Sequence, residues 1–255
     1  KAGGIRRAHV LGDEGGEAMK AAYDGAENPW QTVRCIVFDA YGTLISTGNG
    51  SLQAAREILT QAGRKDIPAE GFYADWKRCH RQHIRDMREF INEEAVFRQD
   101  LKKLYLQYQI SGMAEQDIAI MLNTLGKRKA FDDSQKVLEE LSGDYFLCIG
   151  STTDTRPLIM DLKRNHLRVH MTFTSELLKL YKPNPAFYQA ILEQLKCKPC
   201  EVLFAGDSLI DDVEGPKSVG MKTCWVNRKG EKQGKVMPDM EVRNLEEFLI
   251  RLKTG

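Results

Sequence analysis

Val37-Phe38-Asp39-Ala40-Tyr41-Gly42-Thr43-Leu44 is the stretch of sequence that decides the fold. The apolar residues 33–38 predict a buried strand that ends at a carboxylate. Gly42 then allows the chain to turn sharply. Because open α/β sheets bind their ligands at the carboxyl ends of their strands, Asp39 is expected where a nucleophile or a metal ligand would act.

The sequence on the C-terminal side of this stretch has two patterns. From residue 51 to about residue 127 the apolar spacing is helical, and no strand pattern interrupts it. Strands and helices then alternate, with strands predicted at residues 145–149, 169–173, 202–205 and 223–226, and helices at 156–166, 185–195, 209–219 and 245–252. This alternation predicts an α/β fold with a Rossmann-like parallel sheet. We expect an N-terminal extension (1–31), a core (32–47 and 129–255) and an inserted helical domain (48–128).

Bulk composition excludes several classes of partner. The formal net charge is +1, from 37 basic and 36 acidic residues, so no global charge favours nucleic acid or an acidic membrane. No apolar run approaches the roughly 18 residues of a membrane span. Residues 1–30 are glycine-rich and charged and lack the apolar region of a signal peptide. We therefore expect a cytoplasmic protein that binds neither nucleic acid nor a membrane.

The six cysteines favour a reducing compartment. Cys35, Cys148 and Cys224 lie in apolar, strand-like runs, where a free cysteine behaves as a small hydrophobic residue. Cys197 and Cys200 form a Cys-x-x-Cys sequence, but a second pair with zinc-site spacing is missing. A loop before the next strand is favoured over a metal or redox site.

Polar residues follow four of the predicted strands. They are Asp39 with Thr43, then Ser151, then Lys182, and finally Asp207 with Asp211 and Asp212. In a doubly wound sheet these strand ends converge on one crevice. Each residue alone has an ordinary interpretation, such as a helix N-cap for Asp39 or a solvated side chain for Lys182. Their order and placement together favour a site.

This set of side chains suits phosphoryl transfer. Mg²⁺ prefers carboxylate oxygens, and Asp39 and Asp207 would supply two, with Asp211 or Asp212 in support. Lys182 would neutralise charge on the nucleophile and on the phosphoryl oxygens. The hydroxyls of Ser151 and Thr43 would donate hydrogen bonds to those oxygens.

The four motifs, in this order, resemble those of the haloacid dehalogenase superfamily over residues 33–47 and about 130–230. The resemblance implies that Asp39 is the nucleophile, that Thr43, Ser151 and Lys182 are catalytic, and that Asp207 is a metal ligand supported by Asp212 or Asp211. It further implies that the backbone carbonyl of Tyr41 is a metal ligand and that the helical block is a cap domain.

Two branches of this superfamily compete for the chain. Tyr41 replaces the second aspartate of the phosphatases and, like Tyr188, is similar to the 2-haloacid dehalogenases. Gly206-Asp207-Ser208 is instead similar to the Mg²⁺-dependent phosphatases. The arginine with which the dehalogenases bind the substrate carboxylate is matched only approximately, by Lys77-Arg78. We expect Tyr41, Thr152, Lys77, Arg78 and Tyr188 to contact substrate.

The helical block also carries a basic cluster, which comprises Lys77, Arg78, His80, Arg81, His83, Arg85 and Arg88. A solvated helix face is favoured over a surface for anionic ligands, because acidic residues are close by in the sequence. His80 and His83 have the spacing of a zinc pair on a helix, but no third ligand is evident.

We predict a Mg²⁺-dependent phosphatase that forms a covalent intermediate on Asp39 and acts on a small phosphorylated metabolite. A metal-independent 2-haloacid dehalogenase is the first alternative. A non-catalytic member that binds a metabolite or a protein is the second. A homodimer is compatible with the sequence, which does not determine the oligomeric state.

Overall fold

The structure, a computed structural model, describes residues 28–232 and 234–254. Six parallel strands form one sheet in the order β3-β2-β1-β4-β5-β6. They are β1 (Cys35–Phe38), β2 (Phe146–Ser151), β3 (Met171–Thr174), β4 (Val202–Gly206), β5 (Lys222–Val226) and β6 (Met240–Val242). The predicted α/β fold with a parallel sheet is confirmed. The predicted extension, except residues 28–31, lies outside the described residues.

Helices connect the strands. Between β1 and β2 lie α1 (Gly50–Gln61), α2 (Ala69–Asp86), α3 (Glu93–Gln107), α4 (Ala114–Leu122) and α5 (Ser134–Leu141). The later helices are α6 (Thr155–Arg164), α7 (Ser175–Leu178), α8 (Pro185–Leu195), α9 (Gly215–Lys217) and α10 (Leu245–Thr254). A 3₁₀ turn (Pro199–Glu201) precedes β4 and a π-helical turn (Leu209–Glu214) follows it. None of the described helices combines the length and the apolarity that a bilayer span requires.

Strand β1 shows why the sheet is buried on both faces. Successive side chains of a strand point to opposite faces. Cys35 and Val37 accordingly pack with Phe187 and Ile191 of α8. Ile36 and Phe38 pack in the opposite cluster, to which α5, α6 and α10 contribute Val137, Leu138, Leu141, Leu158, Leu162, Phe248 and Leu252. The central strand is therefore apolar along its whole length, as parallel sheets with helices on both faces require.

Helices α1 to α4, here called the helical insert (residues 50–122), pack around a hydrophobic cluster of their own. Phe72 and Trp76 of α2 are 0% and 1% exposed, and their rings meet edge to face at 6.1 Å. Helices α3 and α4 cover these rings with their own apolar residues, which include Leu101, Leu104, Ile118 and Met121. The polar remainder of each helix is left facing outward, which explains the amphipathic pattern of the sequence.

The two chain segments that join the helical insert to the sheet are held together at α6. Ser46 N–H donates to the Lys129 carbonyl at 2.8 Å, and Ile45 bridges Ala130. The carboxylate of Asp161 accepts the Arg128 N–H at 2.8 Å, and the Asn165 side chain bonds residues on the same returning segment. This arrangement fixes the path of the chain into and out of the insert.

Several predicted element bounds differ from the structure. The first strand begins at Cys35 rather than at residue 33, and the second extends to Ser151. The helix predicted at 209–219 is a π-helical turn followed by the short helix α9. Helix α5 and strand β6 were not predicted, because elements of 8 and 3 residues are too short to show a clear period.

We predict that Phe72→Ala lowers the free energy of unfolding by about 3–5 kcal/mol, because it leaves a cavity among the rings of the helical insert. Leu106→Ala, on α3 of the same insert, is the matched control, because Leu106 is 81% exposed. Its cost should be within about 0.5 kcal/mol. Urea denaturation checks both variants, and equal losses would contradict the packing described here.

Candidate active site

Asp39 lies directly beyond β1, at the carboxyl edge of the sheet. Its main-chain N–H donates to the Ala205 carbonyl at 2.8 Å, which continues the β1–β4 pairing and fixes the position of the side chain. The residue is 7% exposed. One of its carboxylate oxygens, Oδ1, accepts a hydrogen bond from the Lys182 ammonium at 2.8 Å. The other oxygen, Oδ2, is buried and has no hydrogen-bond partner among the described residues.

The register of the sheet brings residues from the neighbouring strands to the same edge. Phe38 is paired with Ile149 of β2 and with Ala205 of β4. Ser151 and Asp207 each lie two residues beyond those partners, so they flank Asp39 on its two sides. Ser151 is 1% exposed. The predicted convergence is therefore present in the geometry of the sheet for Asp39, Ser151 and Asp207. Lys182 was also predicted at a strand end, but it lies eight residues beyond β3, after α7, and reaches this edge from the segment before α8.

Lys182 places a positive charge inside this edge. Its ammonium donates to Asp39 Oδ1 at 2.8 Å and to Asp212 Oδ1 at 2.7 Å, and the residue is 4% exposed. Although burial opposes the charged form, the two carboxylates raise the pKa of Lys182 well above its usual value. The side chain is thus a cation at neutral pH, and it is shared by two acids.

A third carboxylate joins this pair. Ligand oxygens of Asp39, Asp207 and Asp212 all lie within 4.8 Å of one another. In the part of the chain that the structure describes, this is the one group of three or more His, Cys, Asp or Glu side chains that meets so closely. The Asp212 carboxylate is held by the Ser208 N–H at 2.9 Å. Sequence reasoning left Asp211 and Asp212 as alternatives, and the structure brings Asp212 into the cluster.

Burial and mutual repulsion disfavour the charged forms of two acids in this cluster. Burial, despite the opposing effect of Lys182, raises the pKa of Asp39 to about 8. Burial and the neighbouring Asp212 raise the pKa of Asp207 to about 6. The Lys182 ammonium contacts Asp39 and Asp212, whereas Asp207 forms no ion pair among the described residues, although the charge of Lys229 acts on it. An additional cation at this position would compensate the third carboxylate. An oxygen-only donor set of this kind suits Mg²⁺, and the unpartnered Oδ2 of Asp39 fits a ligand or a phosphoryl group.

Gly42 makes room for Asp207. Its φ is +107°, a conformation that side chains with a Cβ rarely adopt. A Cβ at this position would collide with the Asp207 carboxylate. The glycine after Asp39 thus allows both the turn and the close approach of the acid. Next to it, Thr43 is fully buried, and its hydroxyl has no partner among the described residues.

Tyr41 is directed away from this cluster. Its hydroxyl donates to Asp161 Oδ2 at 2.9 Å, and the Arg128 guanidinium lies 4.5 Å from the centre of its ring. Burial and the adjacent Asp161 carboxylate raise the pKa of the Tyr41 hydroxyl. The side chain therefore contacts the segment that returns from the helical insert, while its backbone stays in the turn beside Asp39. Its predicted contact with substrate is not among these interactions and stays a prediction.

Tyr188 supports the turn that carries Asp211 and Asp212. It is fully buried, and its hydroxyl donates to the main-chain carbonyl of Asp211. Gly215 packs directly against that hydroxyl, since a Cβ there would collide with it. In the structure the ring thus holds this turn in place. Its predicted role in substrate binding stays a prediction.

Lys77 and Arg78 lie on α2, and their contacts are within that helix. The Lys77 ammonium lies 5.0 Å from the centre of the Tyr73 ring, and Arg78 donates to Asp75 at 2.8 Å. Arg81, one turn later, is the basic residue of this helix whose charge acts on Asp211. The predicted contact of Lys77 and Arg78 with substrate stays a prediction.

The two histidines of α2 have a partner inside the helical insert. His80 and His83 both bond the buried Asp100 carboxylate, at 3.1 and 2.7 Å. Burial raises the pKa of Asp100, but the hydrogen bonds with His80 and His83 act in the opposite direction and the net effect is a lowered pKa. Both histidines thus have a hydrogen-bond partner within the helical insert.

Glu93 is a residue that sequence reasoning missed. Thr153, two residues after Ser151, donates to Glu93 Oε2 at 2.7 Å. The adjacent Asp154 accepts the N–H groups of Glu93 and Glu94 at 2.9 and 3.0 Å. These bonds attach the N-terminus of α3 to the loop after β2. Thr152, between Ser151 and Thr153, is partly exposed at this junction, as a contact with substrate would require.

The remaining sequence predictions concern cysteine. All six cysteines are free thiols, and those in β1, β2 and β5 are buried, as predicted. Cys197 lies in a loop before β4, as predicted, whereas Cys200 lies in the 3₁₀ turn that directly precedes this strand. The Cys197 sulfur lies 3.4 Å from the Cys35 sulfur, and Cys200 is exposed.

The fold and the site can be compared with known proteins. The chain is 26% identical over 204 residues to (S)-2-haloacid dehalogenase 4A of Burkholderia cepacia, which covers 78% of this chain and 85% of that protein. It is 25% identical over 225 residues to glyceraldehyde 3-phosphate phosphatase of Pyrococcus furiosus, covering 86% of this chain and 89% of the relative. A crystal structure of a dehalogenase with an intermediate complex superposes with a TM-score of 0.72 at 24% identity, over 85% of this chain and 96% of the other.

The relatives thus include both dehalogenases and phosphatases. The predicted superfamily is confirmed, because the profile of haloacid dehalogenase-like hydrolases matches residues 33–220. That stretch spans the sheet from Asp39 to the turn that carries Asp212, together with the helical insert. This chain belongs to the haloacid dehalogenase-like hydrolase family.

Proposed function

We propose that the protein is a Mg²⁺-dependent phosphohydrolase that acts on a small phosphorylated metabolite. The observation that carries the proposal is the cluster of three carboxylates, Asp39, Asp207 and Asp212, of which the Lys182 ammonium contacts only Asp39 and Asp212. A metal-independent site would have to keep this excess of buried negative charge without compensation. A divalent cation would compensate it and would also bind the phosphoryl oxygens of a substrate.

The roles of the chain's own residues follow from their positions. Asp39 attacks the phosphorus, and the bond from phosphorus to the leaving oxygen breaks, which leaves a phosphoryl group on the carboxylate. Water then attacks that phosphorus and releases inorganic phosphate and free Asp39. Lys182 stays beside Asp39 Oδ1 and lowers the charge that the incoming phosphoryl group meets. The hydroxyls of Thr43 and Ser151 donate to the transferring oxygens.

Asp39, Asp207 and Asp212 would hold the Mg²⁺, together with the backbone carbonyl of Tyr41. Asp211, whose main-chain N–H donates to the Ser208 hydroxyl at 3.1 Å, would support them from the same turn. The bound ion would supply positive charge to the phosphoryl oxygens. The helical insert would act as a cap, at residues 48–128, and would limit access of water to the site.

A metal-independent 2-haloacid dehalogenase is the second candidate. It is favoured by Tyr41, by Tyr188 and by the similarity to the Burkholderia enzyme. Against it stand Asp207 and Asp212, whose charges a metal-independent displacement by Asp39 does not need. In either chemistry Asp39 would be the nucleophile, so the metal dependence separates the two.

The expected location is the cytoplasm, and the expected substrate is a small molecule. Six free thiols, two of which lie within 3.4 Å of each other, are in keeping with a reducing compartment.

The decisive experiment is a parallel assay of one preparation. We expect phosphate release from phosphorylated metabolites with Mg²⁺ and none with EDTA, and no halide release from 2-chloropropionate. Asp39→Asn should abolish turnover, and Asp207→Ala should remove both Mg²⁺ binding by calorimetry and turnover. Asp66→Ala is the control, because that exposed acid is paired with Arg64 in the helical insert. Halide release that survives EDTA would establish the dehalogenase instead.

Gly42→Ala tests the geometry of the cluster. The added methyl group collides with the Asp207 carboxylate, so we expect Mg²⁺ affinity and kcat to fall by at least about tenfold, which corresponds to about 1.4 kcal/mol. Gly48→Ala is the matched control, because Gly48 also has a positive φ, +54°, but a Cβ there would have no neighbouring atom within 4 Å. Both substitutions place a Cβ at a positive φ, and the strain is smaller at Gly48, whose φ lies in the left-handed helical region. If both lose Mg²⁺ affinity equally, strain rather than the position of Asp207 is responsible.

We expect Tyr41 to determine for which leaving groups kcat/KM is high. Its hydroxyl is bound to Asp161, so no acid at this position can protonate the departing oxygen. We expect higher kcat/KM for phenyl phosphate than for glycerol 3-phosphate, and an increase for the latter in Tyr41→Asp, since a positioned acid contributes about 10²–10⁴-fold. Tyr41→Phe, the control, should stay within a few fold of the wild type. Equal treatment of the two substrates by the wild type would show that another residue supplies the proton.

A further inference from the structure

Two thiols meet on the face of the sheet that α8 covers. The sulfur of Cys35, the first residue of β1, lies 3.4 Å from the sulfur of Cys197, two residues after the end of α8. Cys35 belongs to the hydrophobic cluster on this face, and Cys197 packs against that cluster. The sequence places Cys197 in a Cys-x-x-Cys pattern with Cys200, whereas the fold places it beside a cysteine 162 positions away.

The thiol contact joins the same two elements as the ion pair of the candidate active site. Cys35 begins β1, and Asp39 directly follows the last residue of this strand. Lys182 lies three residues before α8, and Cys197 lies two residues after it. The ion pair therefore connects one end of β1 with one end of α8, and the thiol contact connects their other ends.

The two thiols differ in their accessibility. Cys35 is 5% exposed, and burial together with the hydrogen bond to Cys197 raises the pKa of Cys35 to about 12. Cys197 is partly exposed. Its sulfur donates to the Leu195 carbonyl at 3.5 Å, which leaves the same sulfur able to accept the Cys35 S–H. Cys197 is therefore the thiol that a small oxidant reaches first, and Cys35 is the thiol beside it.

We propose that Cys35 and Cys197 form a reversible oxidation site, in which hydrogen peroxide converts the two thiols into an intramolecular disulfide. The Cys197 sulfur attacks a peroxide oxygen and the O–O bond breaks. The departing hydroxide takes up the thiol proton and leaves as water, and Cys197 becomes a sulfenic acid. The Cys35 sulfur then attacks the Cys197 sulfur, the S–O bond breaks, and the hydroxide leaves with the Cys35 proton as a second water. One peroxide is thus reduced to two waters while two thiols are oxidised.

The neighbouring thiol would keep the oxidation of Cys197 reversible. A sulfenic acid without a thiol beside it is oxidised further to a sulfinic acid, which thiol reductants do not reverse. An S–S bond is about 2.05 Å long, so sulfurs that are already 3.4 Å apart need to approach by only about 1.4 Å. We therefore expect the disulfide to form before the sulfinic acid. This site goes beyond the proposed phosphohydrolase activity and does not depend on it.

Peroxide treatment of the native protein tests the proposal without an activity assay. Non-reducing tryptic mapping should find the peptide of Cys35 linked to the peptide of Cys197, and dithiothreitol should separate them. Trypsin does not cleave between Lys198 and Pro199. Cys197 and Cys200 therefore stay on one peptide, and the mapping is repeated with Cys200→Ala. This variant should keep the link, and its intact mass should fall by two hydrogen atoms.

Removal of either thiol should abolish the link. In Cys35→Ala, the fraction of Cys197 found as sulfinic acid should rise several-fold over the wild type. Cys197→Ala tests the link independently, because this side chain is partly exposed and its removal leaves the strand intact. Cys224→Ala is the matched control for a buried thiol, since Cys224 lies in the cluster on the opposite face of the sheet. It should form the link as the wild type does.

Thermal melts show that each variant is folded, and they provide a second readout. The oxidised wild type should melt several degrees above the reduced protein, because a bond between residues 162 positions apart restricts the unfolded chain. This difference should be absent in Cys197→Ala. A link from Cys197 to Cys200, a link from Cys35 to Cys148, or sulfinic acid as the main product on Cys197 of the wild type would overturn the proposal.

Discussion

The candidate site depends on one contact, the ammonium of Lys182 held between Asp39 and Asp212 at 2.8 and 2.7 Å. It joins the end of β1, the segment before α8 and the turn after β4. All three residues are at least nine-tenths buried. Removal of one partner from a buried ion pair typically costs about 3–5 kcal/mol, because the remaining charge loses its counter-charge. The loops that carry these residues are therefore held in one arrangement by the same charges that would act on a substrate.

The negative charge that Lys182 does not compensate has a chemical use. Asp207 adds a carboxylate that the lysine does not contact, and Gly42 lets it approach where any side chain would collide with it. Burial and mutual repulsion raise the pKa of Asp39 and Asp207. Keeping both carboxylates charged is therefore energetically unfavourable for the protein without a cation. Functional sites often keep such unfavourable charge, since the binding of a cation and an anionic substrate relieves it.

The helical insert is attached at a point where it can influence the site. Asp154 accepts two main-chain N–H groups at the start of α3, and Thr153 donates to Glu93 beside them. Thr153 and Asp154 lie within three positions of Ser151, so these bonds attach the insert next to the end of β2. On the opposite side, Tyr181 contacts the insert one residue before Lys182. Both attachments are next to residues proposed to be catalytic, as a cap that closes over substrate would require.

The sequence by itself determined the parallel sheet and the strand-end residues of the site. Apolar runs and their alternation with helices are local patterns, and the parallel arrangement then brings Asp39, Ser151 and Asp207 to one edge. Lys182 reaches the same edge from the segment between α7 and α8. The choice of Asp212 over Asp211 was not visible, because adjacent residues on the π-helical turn differ in direction only once that turn is built.

Only the tertiary structure decided what the helical insert presents to the core. The helical period shows that α2 has a polar face, but the packing of Phe72 and Trp76 determines how that face is rotated. This rotation brings His80 and His83 to Asp100 and leaves Arg78 paired with Asp75. Likewise, the bonds from Tyr41 to Asp161 and from Thr153 to Glu93 join residues 120 and 60 positions apart. Local sequence carries no signal for such contacts, since they form only when the sheet and the helices pack together.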